Sequence, residues 1–232
     1  RLLKKLEEKH HLLFINMIPE RNKWKIYKLL STSKELQAHI PTTYPLNKKN
    51  FKKLIQKYQH VVIKPINGAR GEKIYKVSRD EQGYTICYTT HKKQRQLEVT
   101  PRGINLFLKR RLDEPRSYLV QKWINFQELE GNKFDIRVSV QKDKRGEWII
   151  SGMVVRQAAK DGIVTNIAQG GKAVSFQQIK SLISQPQLQA LKELSIKIAK
   201  EIEKYYPSTA DLGLDMAFDQ QGKLWFIEAN HC

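Results

Sequence analysis

The chain has 232 residues, 40% of them hydrophobic, enough to bury a core as one large or two small domains. No stretch of about 18 apolar residues occurs, which excludes a membrane-spanning helix. Cys87 and Cys232 are the only cysteines, so neither a disulfide framework nor a zinc site is expected, and a cytoplasmic location is the default. The net charge of +19, from 42 basic and 23 acidic residues, favours polyanionic partners such as nucleotide phosphates, nucleic acid or an acidic polymer. The basic residues are scattered, and no zinc finger, RNA-binding aromatic signature or basic region with heptads accompanies them. Specific nucleic-acid binding is therefore not expected. An opening at Arg1 in place of Met reads as a piece of a longer chain.

In chain order, the apolar spacing of Leu2, Leu3, Leu6, Leu12 and Leu13 predicts a helix over residues 2–15, closed by Pro19. Thr32 with Glu35 reads as a capping box for a short helix ending before Pro41. Phe51, Leu54, Ile55 and Tyr58 share one face of a helix over 47–59. Val61–Ile63 is a compact strand, and Lys73–Arg79 pairs with Tyr84–Thr89 around a polar turn. Pro101 opens a helix to about Leu112. Strands are predicted at 117–123, 134–142 and 147–156, the last two joined by the turn 143–146. Pro186 opens the longest helix, with Leu191, Leu194, Ile198, Ile202 and Tyr205 inward. Mixed elements with antiparallel hairpins predict an α+β architecture.

Three stretches carry chemistry. Near the C-terminus, two alternating runs flank Gln220-Gln221-Gly222, the pattern of a β-hairpin. Glu228 and Asn230 share a strand face, and a two- or four-residue loop puts Asp215 on it, whereas a three-residue loop puts it on the other side. Two carboxylates and an amide oxygen suit Mg²⁺ better than Zn²⁺; a solvated acidic face is the plainer alternative. In Val61–Ile74 a strand ends in Lys64, and a loop holding Asn67, Gly68 and Gly71 follows. Glycines let backbone N–H groups approach phosphate while the lysine supplies charge. It is not a P-loop, since it joins two strands, and an ordinary glycine-containing hairpin reads as well. In Phe134–Gln141, Ile136, Val138 and Val140 alternate with Asp135, Arg137, Ser139 and Gln141. An arginine fixed there can clamp a phosphoryl group, and a surface Asp–Arg ladder explains it equally. Arg156 ends the partner strand, and Thr165-Asn166 with Gly170-Gly171 forms a loop open to backbone approach.

The order of these elements resembles the ATP-grasp superfamily, and more narrowly the YheC/YheD-type proteins of endospore-forming bacteria. The matching phrases are Asn22-Lys23-Trp24, Ile40-Pro41-Thr42-Thr43, Val62-Ile63-Lys64-Pro65, Phe134-Asp135-Ile136-Arg137-Val138, Thr165-Asn166-Ile167, Gly170-Gly171 and Leu212-Gly213-Leu214-Asp215, spread over roughly 16–230. The resemblance implies an ATP-grasp fold: two α+β halves, residues 21–124 and 125–232, closing on the nucleotide. Residues 1–20 would be a remnant of a preceding domain. It implies ATP and two Mg²⁺ (or Mn²⁺) as cofactors. Lys64 and Lys23 would touch phosphate, and the Asn67–Lys73 loop, with Asn67, Gly68 and Gly71, would cover it. Gln121, Lys122, Trp123 and Ile124 would read adenine, and Asn166 would border the nucleotide. Arg137 and Arg156 would stabilise the transferring phosphoryl group, and Asp215, Glu228 and Asn230 would hold the metal. The implied reaction is carboxylate–amine (or thiol) ligation through an acyl phosphate, on an anionic carboxylate acceptor. A kinase on the same fold, or a non-catalytic nucleotide-holding protein of the spore coat, are the alternatives. Lys73 replaces a glycine common in the superfamily, and His231-Cys232 an otherwise small or Lys-Pro continuation.

Overall fold

The computed structural model describes residues 9, 15, 16, 22–68, 71–111 and 118–231. The helix expected over 2–15, Pro19, Ala69-Arg70, Leu112 and Cys232 lie wholly or largely outside those residues. Two six-stranded antiparallel sheets dominate. The first has the order β1 (Thr43–Pro45), β6 (Tyr118–Lys122), β2 (His60–Pro65), β3 (Tyr75–Arg79), β4 (Tyr84–Thr90), β5 (Lys93–Val99). In the second the order is β10 (Lys172–Val174), β9 (Trp148–Gln157), β8 (Asn132–Lys142), β11 (Asp211–Phe218), β12 (Leu224–His231), with β7 (Glu128–Leu129) paired to β8.

The first sheet packs against α2 (Lys48–Tyr58) and α3 (Gly103–Arg111). Asn47 caps α2 by accepting from the Asn50 N–H at 2.8 Å, and Phe51, Leu54 and Ile55 enter the core with Val61, Ile63 and Val120. Pro101 falls in the turn before α3, where the Thr100 hydroxyl accepts from the Gly103 N–H at 3.2 Å. The second sheet packs under α4 (Gln185–Tyr205), whose Ser184 and Gln187 cap each other. Leu191, Leu194, Ile198 and Ile202 are buried there as their spacing requires, but Tyr205 is 60% exposed and does not point inward.

The expectation at Thr32 needs correction. Thr32 does not open a helix. It ends α1 (Lys23–Thr32), which Asn22 caps, and its hydroxyl donates back to the Leu29 carbonyl at 2.7 Å. Ile26, Tyr27, Leu29 and Leu30 of α1 pack into the second core, although chain order groups them with the first sheet. β1 and β5 give little sequence signal, β1 being three residues long and β5 an exposed polar edge.

The C-terminal turn spans five residues, Asp219–Lys223, neither two nor four. An odd turn on its own would place Asp215 opposite Ile227 and turn it from Glu228. A β-bulge corrects this: Met216 pairs with Phe226, but Asp215 pairs with Glu228, and the extra residue is Ile227. Asp215, Glu228 and Asn230 thus do share a face.

Core truncation separates the inward and outward positions of α4. Ile198→Ala is expected to cost about 2–5 kcal/mol in denaturant unfolding, and Tyr205→Ala less than about 0.5 kcal/mol.

Candidate active site

The two sheets face each other across a cleft lined by strand ends and by the loops after β2 and β9. Every site residue expected from the sequence lines it, except Asn67, whose side chain stands exposed in the same loop.

On the second sheet, cross-strand register builds a compact charge array. Asp215 lies opposite Arg137, and Asp135 opposite Arg156. The Arg137 guanidinium grips Asp215 with two bonds, Nε to Oδ1 at 2.7 Å and Nη2 to Oδ2 at 2.9 Å. Arg156 binds Asp135 in the same bidentate manner, and its Nη2 also reaches Asp215 Oδ2 at 3.0 Å. The Thr165 hydroxyl donates to Asp135 at 2.7 Å and ties the loop after β9 into the array. Burial works against charge on both arginines, but Asp215 beside Arg137, and Asp135 with Asp215 beside Arg156, hold their pKa values above the ordinary range. Asn230 turns its amide nitrogen to Asp215 at 3.4 Å.

Two lysines face this array. Lys64, at the end of β2, is only 5% exposed. Its ammonium donates to the Tyr27 hydroxyl at 2.5 Å and to the Ile227 carbonyl at 3.3 Å, the carbonyl of the bulge residue. Burial pulls its pKa down to about 8, against the pull of Glu228 and Asp215. Lys23, at the start of α1, pairs with Glu228 at 3.3 Å and donates to the Gly68 carbonyl at 2.6 Å, so it spans the glycine loop and the acidic strand.

Loop backbones close the cleft. Gly71 has φ +68°, and a Cβ there would stand 3.1 Å from Asn166 Cβ, so the glycine loop touches the loop of the other sheet. Lys73 adopts φ +54°, a left-handed conformation that favours glycine. In the segment after β6, the Lys122 and Trp123 N–H groups donate to the carbonyls of Thr42 and His60. The Gln121 side chain donates to Thr43 at 2.6 Å, and the Lys122 ammonium lies 4.9 Å from the Trp225 ring centroid. Val62, Ile74, Ile124, Phe126 and Ile163 give this end of the cleft apolar walls.

Sequence reasoning missed Tyr27, because α1 was not foreseen, and the Ile227 carbonyl, because a bulge has no composition signal. Asp135 and Thr165 stood within the quoted motifs, but their mutual contact is a tertiary one.

Two facing antiparallel sheets with a lysine-bearing glycine loop on one and an acidic hairpin on the other define an ATP-grasp architecture. The chain belongs to the YheC/D-like ATP-grasp family, whose sequence model matches residues 11–232. It is 26% identical over 218 residues to the endospore coat-associated protein YheD of Bacillus subtilis (strain 168), covering 90% of this chain and 47% of that protein. Against YheC of the same organism it is 25% identical over 215 residues, covering 90% and 59%. The chain thus spans about half the length of these relatives. Among solved structures, the VanG D-Ala:D-Ser ligase of Enterococcus faecalis aligns with a TM-score of 0.57 at 14% identity, over 91% of this chain and 52% of that one. The ATP-grasp ligase PsnB, solved with a minimal precursor, gives 0.55 at 14% identity, over 99% and 60%. These structural likenesses establish the fold.

The cost of burying Lys64 sets a test. Its folded pKa lies below the unfolded value, so between about pH 8 and 10.5 the unfolded chain binds the proton more readily. The stability tied to neutral Lys64 is full above the unfolded pKa and lost as pH falls through the folded one. Lys64→Met is therefore expected to stabilise the ligand-free protein at pH 7 by about 1–3 kcal/mol. Calorimetric unfolding checks it, and the gain is expected to shrink as pH rises past 8.

Proposed function

We propose that this chain binds ATP and Mg²⁺ between its two sheets and activates a carboxylate as an acyl phosphate, which an amine or thiol then attacks. The observation that carries the reading is the juxtaposition of Arg137 and Arg156 with Asp215 and Glu228 on one sheet, faced by Lys64 from the other. Holding ATP alone calls for fewer of these charges.

The apolar walls Val62, Ile74, Ile124, Phe126 and Ile163 suit the faces of a purine. Two N–H groups of the Gln121–Ile124 segment already donate within the protein, so its remaining backbone groups would read the base edge. Lys64 and Lys23 would meet phosphate oxygens, with the Asn67–Lys73 loop laid over them and Asn166 at its border. The donor set of Asp215, Glu228 and Asn230 fits Mg²⁺: hard oxygens, two carboxylates and an amide, with room for water and phosphate oxygens. Bound there, one or two Mg²⁺ would neutralise charge on the transferring phosphoryl oxygens. A carboxylate oxygen of the acceptor attacks the γ-phosphorus, the bond to the β-phosphate oxygen breaks, and ADP leaves. The nucleophile then forms its bond to the acyl carbon, phosphate departs with the transferred oxygen, and the nucleophile's proton passes to solvent. Arg137 and Arg156 would stabilise the charge on the phosphoryl group in both steps.

Without ligand, the carboxylates are engaged by the cleft's own cations, Asp215 by Arg137 and Arg156, Glu228 by Lys23. Nucleotide phosphates would draw those cations away and free the carboxylates. Mg²⁺ and ATP are thus expected to bind cooperatively, each tightening the other at least about fivefold, as coupled sites commonly do. Titrations of each with and without the other measure it.

The placement of Arg137 and Arg156 within the cleft favours a small anionic acceptor there, and the net charge of +19 would attract one. The relatives' names refer to the endospore coat, and a role there is part of this reading. Incubation with ATP, Mg²⁺ and ¹⁸O-labelled carboxylates tests the chemistry. Label in released phosphate together with an amide or thioester product supports ligation. A stable phosphorylated acceptor indicates a kinase, and neither product a nucleotide-holding coat component. Glu228→Gln is expected to abolish Mg²⁺-dependent ATP turnover with the melting temperature retained, read by phosphate release.

A further inference from the structure

We infer that Tyr27 is a positioning residue for phosphate recognition, acting through Lys64. The inference rests on the nucleotide reading above and adds to it a residue outside every expected site motif.

Tyr27 is buried in the second core, edge-on to Phe226 with ring centroids 5.9 Å apart, and nothing in that packing requires a hydroxyl. The hydroxyl is nonetheless held by polar groups, with the Gln121 side chain beside it as well. It donates to the Ile227 carbonyl and accepts from the Lys64 ammonium. A hydroxyl has one proton, so donation to Ile227 fixes it as acceptor for Lys64, and the three groups form a directed chain. The Lys64 ammonium also lies 4.7 Å from the Tyr27 ring centroid, within cation–π range. Burial and the charge of Glu228 hold the Tyr27 pKa above its ordinary value, so its proton stays on the hydroxyl.

An ammonium has three donors. Tyr27 and Ile227 take two, and among the described residues the third has no protein partner; Lys64 itself lines the cleft. A lysine on a four-carbon stem would otherwise sample several rotamers and fold toward the acidic strand. The Tyr27–Ile227 cradle fixes the ammonium in one place with a single donor left for an incoming anion. This arrangement lowers the ordering cost of binding, which is how preorganisation raises affinity.

Tyr27→Phe keeps the packed ring and removes the hydroxyl. Calorimetry on the full chain should show ATP affinity reduced about tenfold, the usual effect of losing a hydrogen bond to a charged group, with adenosine affinity unchanged. The double variant Tyr27→Phe/Lys64→Ala should bind ATP as Lys64→Ala does, because the tyrosine acts only through the lysine. The Lys64 ¹⁵Nζ resonance of the unaltered protein reads the cradle without any substitution, and should show cross-relaxation to the Tyr27 ring. Unchanged ATP affinity in Tyr27→Phe, a loss that simply adds to that of Lys64→Ala, equal loss for adenosine, or no such cross-relaxation would each overturn the positioning role alone. Failure of the unaltered protein to bind ATP would overturn the nucleotide reading and this inference together.

Discussion

Asp215 is the charge on which the cleft is built. It is 7% exposed, and burying a carboxylate so far from water is costly unless cations and donors replace its hydration. Arg137, Arg156 and Asn230 do so from three neighbouring strand positions. That requirement fixes the register of β8 against β11, since a slip of one residue would turn Arg137 to the opposite face. It also ties in Asp135, which holds Arg156, and Thr165, whose hydroxyl donates to Asp135. The electrostatics and the strand pairing of the second sheet are therefore one constraint.

The first sheet answers with the opposite sign, and at a cost. Burial disfavours the charged form of Lys64, and the fold tolerates it because a backbone carbonyl and a phenol stand in for water. That carbonyl is offered by the residue left over in the β12 bulge. A ladder without the bulge would turn Asp215 from Glu228. One irregular residue thus serves both the acidic face and the lysine opposite.

How much of this could be read in the sequence depends on the range of the interaction. Period-two alternation in Phe134–Gln141 revealed both faces of β8, since Ile136, Val138 and Val140 must be dry whatever they pack against. Period-3.6 spacing placed α2 and α4 within a residue or two. The α+β architecture and its family were legible because motifs hold their order along a chain. Helix α1 was not, because Thr32–Glu35 offers a competing local signal in the last turn of the helix that Asn22 caps. The five-residue turn was misjudged because parity and a bulge compensate each other. Tyr205 was misassigned because periodicity alone extends a buried stripe to a helix end where nothing covers it.

The place of α1 has a mechanical consequence. The second core takes its helix from residues ahead of the first sheet, so the first sheet is inserted within the second unit and joined to it by two chain crossings, near Pro41–Thr42 and Trp123–Asn125. These crossings run side by side: Thr43 pairs with Gln121, and the Lys122 N–H donates to Thr42. Two adjacent, hydrogen-bonded strands make a ribbon, a more constrained link than a single stretch of chain. The two sheets are thereby joined by a paired ribbon, and neither crossing can slide along it without breaking hydrogen bonds to the other.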